Sequence, residues 1–412
     1  MEACPKGRLF YLFLPVMLKL YKDAYSGLSR STWLLSVVML VNRSGTMVIP
    51  FMTIYLTRPS MGYSIGQAGA VIGIFGLGAV CGGFLGGRMT DRFGFHRVQL
   101  VTLTGGGFLF ILLGQMKSYP LICGCTFLLS VVNEAFRPAN STAIAAYSKE
   151  ENRTRSYSLN RLAINLGWAV GGAIGGILAS INYHLLFWVD GCTNLVAVLL
   201  IRYFLGSAST AGHPETPNTE AAQTPYRDRI YLWFVFCTIL FGACFFQVFS
   251  VLPVFYKQTL QMPEYMIGLL MTLNGLIIAL FEMILVFRLE GRRQNLHYIF
   301  YGTCLVAVSY LLLNILPLSV AMVFFLMILM TMGEILSMPF MNSFWVSRTT
   351  KATRGQYAGL YTIAWSTAQV VGPAGGAEIA GRAGFRPLWW VVAGVCFLSA
   401  MGFRWLRQNN TR

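Results

Sequence analysis

Six ionisable side chains stand inside stretches that are otherwise apolar: Arg43, Glu134, Arg137, Arg161, Glu282 and Glu334. A carboxyl removed from water takes up a proton more readily, and a neighbouring guanidinium reverses that tendency. A glutamate that meets arginine in one conformation and an apolar wall in another therefore binds and releases a proton as the protein moves. Glu134 and Glu282 are candidate proton-coupling groups on this reasoning. Glu134 and Arg137 are three residues apart and share a helix face. A charge at the centre of a bilayer costs at least about 2.5–3.5 kcal/mol, so these groups must face one another or a wet crevice. A buried ion pair that only fixes packing would use the same residues. Around them lie the candidate solute-binding residues: Asn42, Arg43, Arg137, Arg161 and Asn165 early in the chain, and Gln247, Asn274, Asn342, Trp365 and Gln369 later. Such a crevice is basic on one wall and acidic on the other. Tyr55, Phe136, Trp168, Phe246, Trp345 and Tyr361 are further candidates to line it.

The elements that must carry these groups are long apolar helices. The chain is 56% hydrophobic and only 11% charged, where a soluble chain is about a quarter charged. Stretches long enough to span a bilayer lie near 33–56, 66–88, 97–115, 120–142, 155–181, 184–204, 229–256, 266–288, 296–315, 319–345, 355–380 and 386–406, twelve in all. The expected fold is an all-α integral membrane protein of twelve transmembrane helices in two pseudo-symmetric six-helix bundles. The net charge of +16 lies in small groups between spans rather than in one patch, which argues against a nucleic-acid partner. Five Lys or Arg precede the first span and three occupy each of five alternate loops, against Arg58, Lys117, Lys257, Arg382 and Arg386 on the other side. That asymmetry places both termini in the cytoplasm, with the plasma membrane (a bacterial inner membrane) as the expected location.

Residues 207–226, SASTAGHPETPNTEAAQTPY, are small, polar and without apolar period, and read as a linker. The expected organisation is a cytoplasmic or interfacial segment over 1–29, a bundle over 30–206, the linker, and a second bundle over 227–412. Leu9 to Tyr21 is too short to span and reads as an interfacial helix. At an offset of 200, Glu134 matches Glu334, Tyr157 matches Tyr357, and Gly172, Gly175 and Gly176 match Gly372, Gly375 and Gly376. Duplication of a six-helix unit accounts for this, and a site between two such units suits alternating access.

No catalytic arrangement appears, so the chain is not expected to be an enzyme. The four histidines, His96, His184, His213 and His297, do not cluster, the nine cysteines form no metal-ligand spacing, and no phosphate-cradling loop is present. No cofactor or metal is expected, and the energy source is then an ion gradient.

After the second span comes GRMTDRFGFHR, Gly87 to Arg97. It resembles the signature loop of the major facilitator superfamily through Gly87, Asp91, Arg92, Gly94 and Arg97, with Phe95 and His96 in place of the usual basic pair. Gly87 permits close helix approach, and Asp91 can meet the positive N-terminus of a neighbouring helix. The fifth span, NRLAINLGWAVGGAIGG, resembles the glycine-rich element of the superfamily's exporters, with Gly172 where proline is usual; Gly372, Pro373, Ala374, Gly375 and Gly376 form a similar element in the second half. Gly87, Asp91, Arg92, Gly94, Arg97, Gly172, Gly372 and Pro373 are the candidate gating residues. GEILSMP, FRPANS, INLG, FFQ and NRSG are each similar to segments of proton-coupled oligopeptide transporters, but Met39 and Asn42 replace that family's acidic pair; the resemblance implies a coupling acid on the tenth span, which makes Glu334 a candidate proton-coupling group with Glu134 and Glu282. The resemblance implies a monomeric secondary transporter working by alternating access, with protons, a small molecule and the lipid bilayer as partners. Proton-driven efflux of amphipathic molecules is the first expectation. Proton-coupled uptake of peptides or zwitterionic or anionic solutes is the second, and a non-transporting receptor or scaffold the third.

Overall fold

The computed structural model describes residues 19–56, 58–63, 65–205, 224–350 and 352–409, which are helical apart from short turns. Most of the expected linker and of the N-terminal segment lies outside the described residues. The helices are α1 (Arg30–Ser44), α2 (Val48–Leu56), α3 (Ile65–Phe93), α4 (Phe95–Leu113), α5 (Tyr119–Tyr147), α6 (Arg153–Ile181) and α7 (His184–Phe204). The second half holds α8 (Arg229–Phe245), α9 (Val251–Gln258), α10 (Glu264–Leu289), α11 (Asn295–Ile315), α12 (Val320–Ser347), α13 (Arg354–Ala383) and α14 (Phe385–Asn409).

Among the described residues, ten helical segments are long and apolar enough to cross a membrane. The other two crossings are made differently. α1 and α2 form one crossing broken at Gly45–Met47, and α13 is diluted by glycine, alanine and polar residues. The break has an identifiable support. Asp190 of α7 is fully buried, and its carboxylate accepts from Met47 N at 3.0 Å and Val48 N at 2.8 Å, so it caps the restarted helix. The seventh crossing is broken too, at Phe246–Val248 between α8 and α9. There Gln247 donates to Gly372 O of α13 at 2.6 Å and to Ala243 O at 3.3 Å. Gly94 (φ 83°) and Gly384 (φ 88°) make the single-residue turns α3–α4 and α13–α14, in a backbone region that side chains disfavour.

The exterior is apolar and the interior carries the polar groups, as lipid requires. Leu77, Val101, Phe108, Ile177 and Leu398 are exposed, whereas Asn42, Asn140, Asn194, Asn274, Glu282 and Glu334 are buried. The packing pattern repeats. In the first half α3 and α4 lie on α5, α1 on α6 and α7, and α4 on α7. In the second α10 and α11 lie on α12, α8 on α13 and α14, and α11 on α14. Between the halves α6 packs on α10 and α12, and α13 packs on α3 and α5. Two related seams thus join two six-crossing bundles.

Candidate functional site

The centre of the first seam is one arginine shared by two acids. Arg161 of α6 reaches across to the other half, where its Nη1 lies 2.5 Å from Glu282 Oε2 of α10 and its Nη2 bonds Glu334 Oε1 of α12. Glu334 is held from behind by Asn274, whose Nδ2 donates to Glu334 Oε2 at 2.9 Å and to Thr331 Oγ1 at 3.0 Å. Both acids are buried, with 2% and 4% exposure. The Ser158 hydroxyl of α6 is a further neighbour of the Glu282 carboxylate. Two carboxylates against one guanidinium leave one negative charge over.

The first half carries the complementary imbalance. Arg137 Nε lies 2.9 Å from Glu134 Oε2, and the Arg137 side chain is 32% exposed. Arg43, on the last turn of α1, feels both groups, yet it has no ion-pair partner among the described residues and its buried Nε bonds nothing. It is pressed against α6, where a Cβ on Gly167 would stand 2.6 Å from Arg43 Cβ. Two guanidiniums therefore share one carboxylate.

The remaining candidates are dispersed. Asn42 bonds Asn194 at 3.1 Å inside the first bundle. Gln247 is spent on the α8–α13 contact, and Asn342 accepts from Trp345 Nε1 at 3.4 Å. Asn165 is half-buried and Gln369 exposed. Trp365 stands edge-on to Phe241, Phe245, Phe246 and Tyr361, with ring centroids 6.0–6.2 Å away. Tyr55, Phe136 and Trp345 are buried in packing, and Trp168 is exposed.

The end of the bundle that carries the basic loops is closed. Asp91 accepts from Gly355 N at 2.6 Å and Gln356 N at 2.9 Å, at the N-terminus of α13. A Cβ on Gly87 would stand 2.6 Å from Gly355 O, and one on Gly359 would stand 2.6 Å from Gly83 O. Arg92 and Arg97 are exposed, and Arg92 lies over the Phe93 ring at 5.2 Å. A Cβ on Gly372 would stand 2.5 Å from Ala243 O, while Gly172 meets open space.

The second seam contact of this kind was not anticipated from the sequence. Glu290 accepts from Thr154 N at 2.7 Å, at the N-terminus of α6, and pairs with Arg155 Nε at 3.1 Å; Thr154 Oγ1 also meets Ser343 Oγ at 2.7 Å. Burial pushes the Glu290 carboxyl up despite these partners. The sequence held a signal, because the offset of 200 carries Arg88 onto Arg288 and Asp91 to the position after Glu290. Asp228 was also missed. It caps α8 through Tyr231 N at 3.0 Å, takes Arg348 Nε at 2.9 Å and Nη2 at 3.0 Å, and accepts from Tyr357 Oη at 3.1 Å. Burial opposes its charge, but the Arg348 guanidinium and the Tyr231 N–H outweigh it and hold the carboxyl below its ordinary range.

Residues 19–29 lie across the closed end. Tyr21 Oη bonds Leu280 O of α10, Arg155 Nη1 bonds Ala24 O and Ser26 O at 3.2 Å, and Asn152 Nδ2 bonds Gly27 O at 2.7 Å. Ala24 packs with Leu159 and Met283, one from each half.

Residues 32–373 match the sequence profile described as Major Facilitator Superfamily. The Na(+), Li(+), K(+)/H(+) antiporter of Planococcus maritimus is 25% identical over 370 residues, covering 81% of this chain and 85% of that one. The multidrug resistance protein MdtH of Proteus mirabilis is 24% identical over 324 residues, covering 76% and 78%. Among solved structures, the proton:xylose symporter XylE superposes with a TM-score of 0.70 at 14% identity, covering 91% of this chain and 94% of that one.

Proposed function

The chain belongs to the major facilitator superfamily, and from that premise we propose that it is a proton-coupled secondary transporter that expels amphipathic small molecules by antiport. The observation that carries the coupling is Arg161, bonded at once to Glu282 and Glu334 across the seam between the halves. A relative named as a cation/proton antiporter and another named for multidrug resistance support the direction of transport. The bundles are 30–206 and 227–412, joined by 207–226, in a monomer with both termini in the cytoplasm of a bacterial inner membrane. The basic end is then the cytoplasmic end, and the structure is a state shut toward the cytoplasm.

In that state the dry cluster of two carboxyls and one guanidinium holds one further proton to reach neutrality. Rocking the halves the other way draws α6 from α10 and α12 and admits cytoplasmic water. The carboxyls are then hydrated, the proton leaves inward, and the solute enters from the cytoplasm. The return step carries the solute outward and recharges the cluster from outside. Binding of solute and proton alternates because the same seam cannot be shut and wet at once.

Reconstituted protein tests this. An imposed proton gradient should drive solute movement against the proton, and Glu334→Gln should abolish accumulation while leaving solute exchange intact. Accumulation unchanged in that variant removes Glu334 from the coupling. Proton movement in the same direction as solute replaces antiport by symport.

A further inference from the structure

The charge imbalance in the first half identifies a ligand class. We propose that Arg43 and Arg137 form a subsite for the anionic head group of an amphipathic organic acid, whose apolar body lies on the rings around Trp365. As a substrate class this rests on the transporter reading, although the binding claim stands without it.

Three observations converge on it. The first is that a guanidinium inside a bilayer is costly unless it is paired or wetted. Arg161 is fully engaged by two acids, whereas Arg43 has no ion-pair partner among the described residues and its Nε is buried without a hydrogen bond. The second is that Glu134 is the only carboxylate among the described residues that is ion-paired with Arg137, its Oε2 lying 2.9 Å from Arg137 Nε. The Arg137 side chain is 32% exposed, so part of its guanidinium is open to an incoming group. A carboxylate entering there neutralises the surplus charge, and an arginine fork suits such a planar acceptor.

The third is depth. On α3, a Cβ at Gly82 would stand 3.0 Å from Glu134 Cβ, and one at the next residue, Gly83, would stand 3.1 Å from Ile363 Cγ1 of α13. Glu134 and Ile363 are therefore level in the bundle, and Trp365 lies half a turn further along α13. Trp365 and Phe246 are only half-buried in their ring cluster. A basic wall and an aromatic wall at one depth, on opposite halves, suit a molecule charged at one end and apolar at the other.

The test is thermal unfolding of the purified full chain with three matched probes: phenylacetate, phenethylamine and phenethyl alcohol. Phenylacetate should raise the melting temperature with concentration, and the amine and alcohol should not. Arg43→Gln and Arg137→Gln should each weaken the apparent affinity about tenfold or more, the loss of one charge-assisted bond. Arg43→Lys should retain part of it, and each variant's melting point without probe shows whether it is folded. Equal stabilisation by the amine overturns the proposal, as does an equal shift with chloride alone, which marks an inorganic counter-ion. Unaltered phenylacetate affinity in both folded glutamine variants also overturns it. A coupling failure would appear separately, as phenylacetate binding with no response of transport to the proton gradient.

Discussion

The two seams between the halves are related by the internal repeat, yet they are built from different materials. Where α6 meets α10 and α12, the contact is ionic, with Arg161 between Glu282 and Glu334. Where α13 meets α3 and α5, the position 200 residues after Arg161 is Tyr361, and the position 200 before Glu282 is Gly82. Glycine backbones touch there instead, Gly83 on Gly359 and Gly87 on Gly355. On the proposed function the ionic contact is the one that answers to protons, whereas the glycine contact answers to shape. Both seams end at the basic face in an acid that caps the opposing helix, Glu290 for α6 and Asp91 for α13.

The sharpest way to break this contrast is to remove the charge at the centre of the ionic seam. Arg161→Ala leaves two buried acids without their cation, and breaking a buried pair on one side costs about 3–5 kcal/mol. Thermal unfolding in detergent should show that loss, and adding Glu282→Gln should recover part of it. If Glu282→Gln recovers nothing in the Arg161→Ala background, the seams do not differ in the way described.

At the glycine seam the vulnerability is steric. Gly359→Val inserts atoms where Gly83 O and the Gly87 Cα already close the gap, and overpacking costs about 1–3 kcal/mol. The effect should fall on the shut state alone. Hydrogen exchange at the N-terminal turns of α6 and α13 should rise several-fold, while unfolding of the whole protein changes less. Protection unchanged at both turns shows that the contact is not a closing surface. Asp91→Asn should act the same way more weakly, by about 1 kcal/mol, because the amide oxygen keeps one of the two N–H bonds of a helix cap.

Much of this arrangement is legible in the sequence, for physical reasons that also mark where legibility stops. The crossings were visible because lipid demands long apolar runs, even at α13, where glycine and polar residues dilute the signal. Arg161, Glu282 and Glu334 were visible because charge in an apolar run is conspicuous. Their mutual pairing was not, since it joins residues 121 and 173 positions apart through the docking of two bundles. The break after Ser44 was hidden because its support, Asp190, comes from a different crossing. Glu290, Arg155 and Asp228 were passed over because acids and bases in polar loops are common, and only the repeat offset singled out the loop at Glu290. Gln247 was read as lining a crevice because a polar side chain in an apolar run has two uses, and here it bridges a broken helix to Gly372.

The smallest expected effect separates the caps from the seams. Asp228 lies outside the membrane-spanning segments and belongs to the second half alone, with Arg348, Tyr357 and the start of α8 as its partners. Its carboxyl is held below the ordinary carboxylate range, so the folded protein favours the charged form more than the unfolded chain does. The resulting stabilisation is present in full above the ordinary carboxylate range and is lost as pH falls through the lowered value. Asp228→Asn should remove that part of the acid dependence of unfolding and leave the pH dependence of transport unchanged, because the group lies on neither seam. A transport profile that shifts with Asp228→Asn would tie this cap to the rocking of the halves.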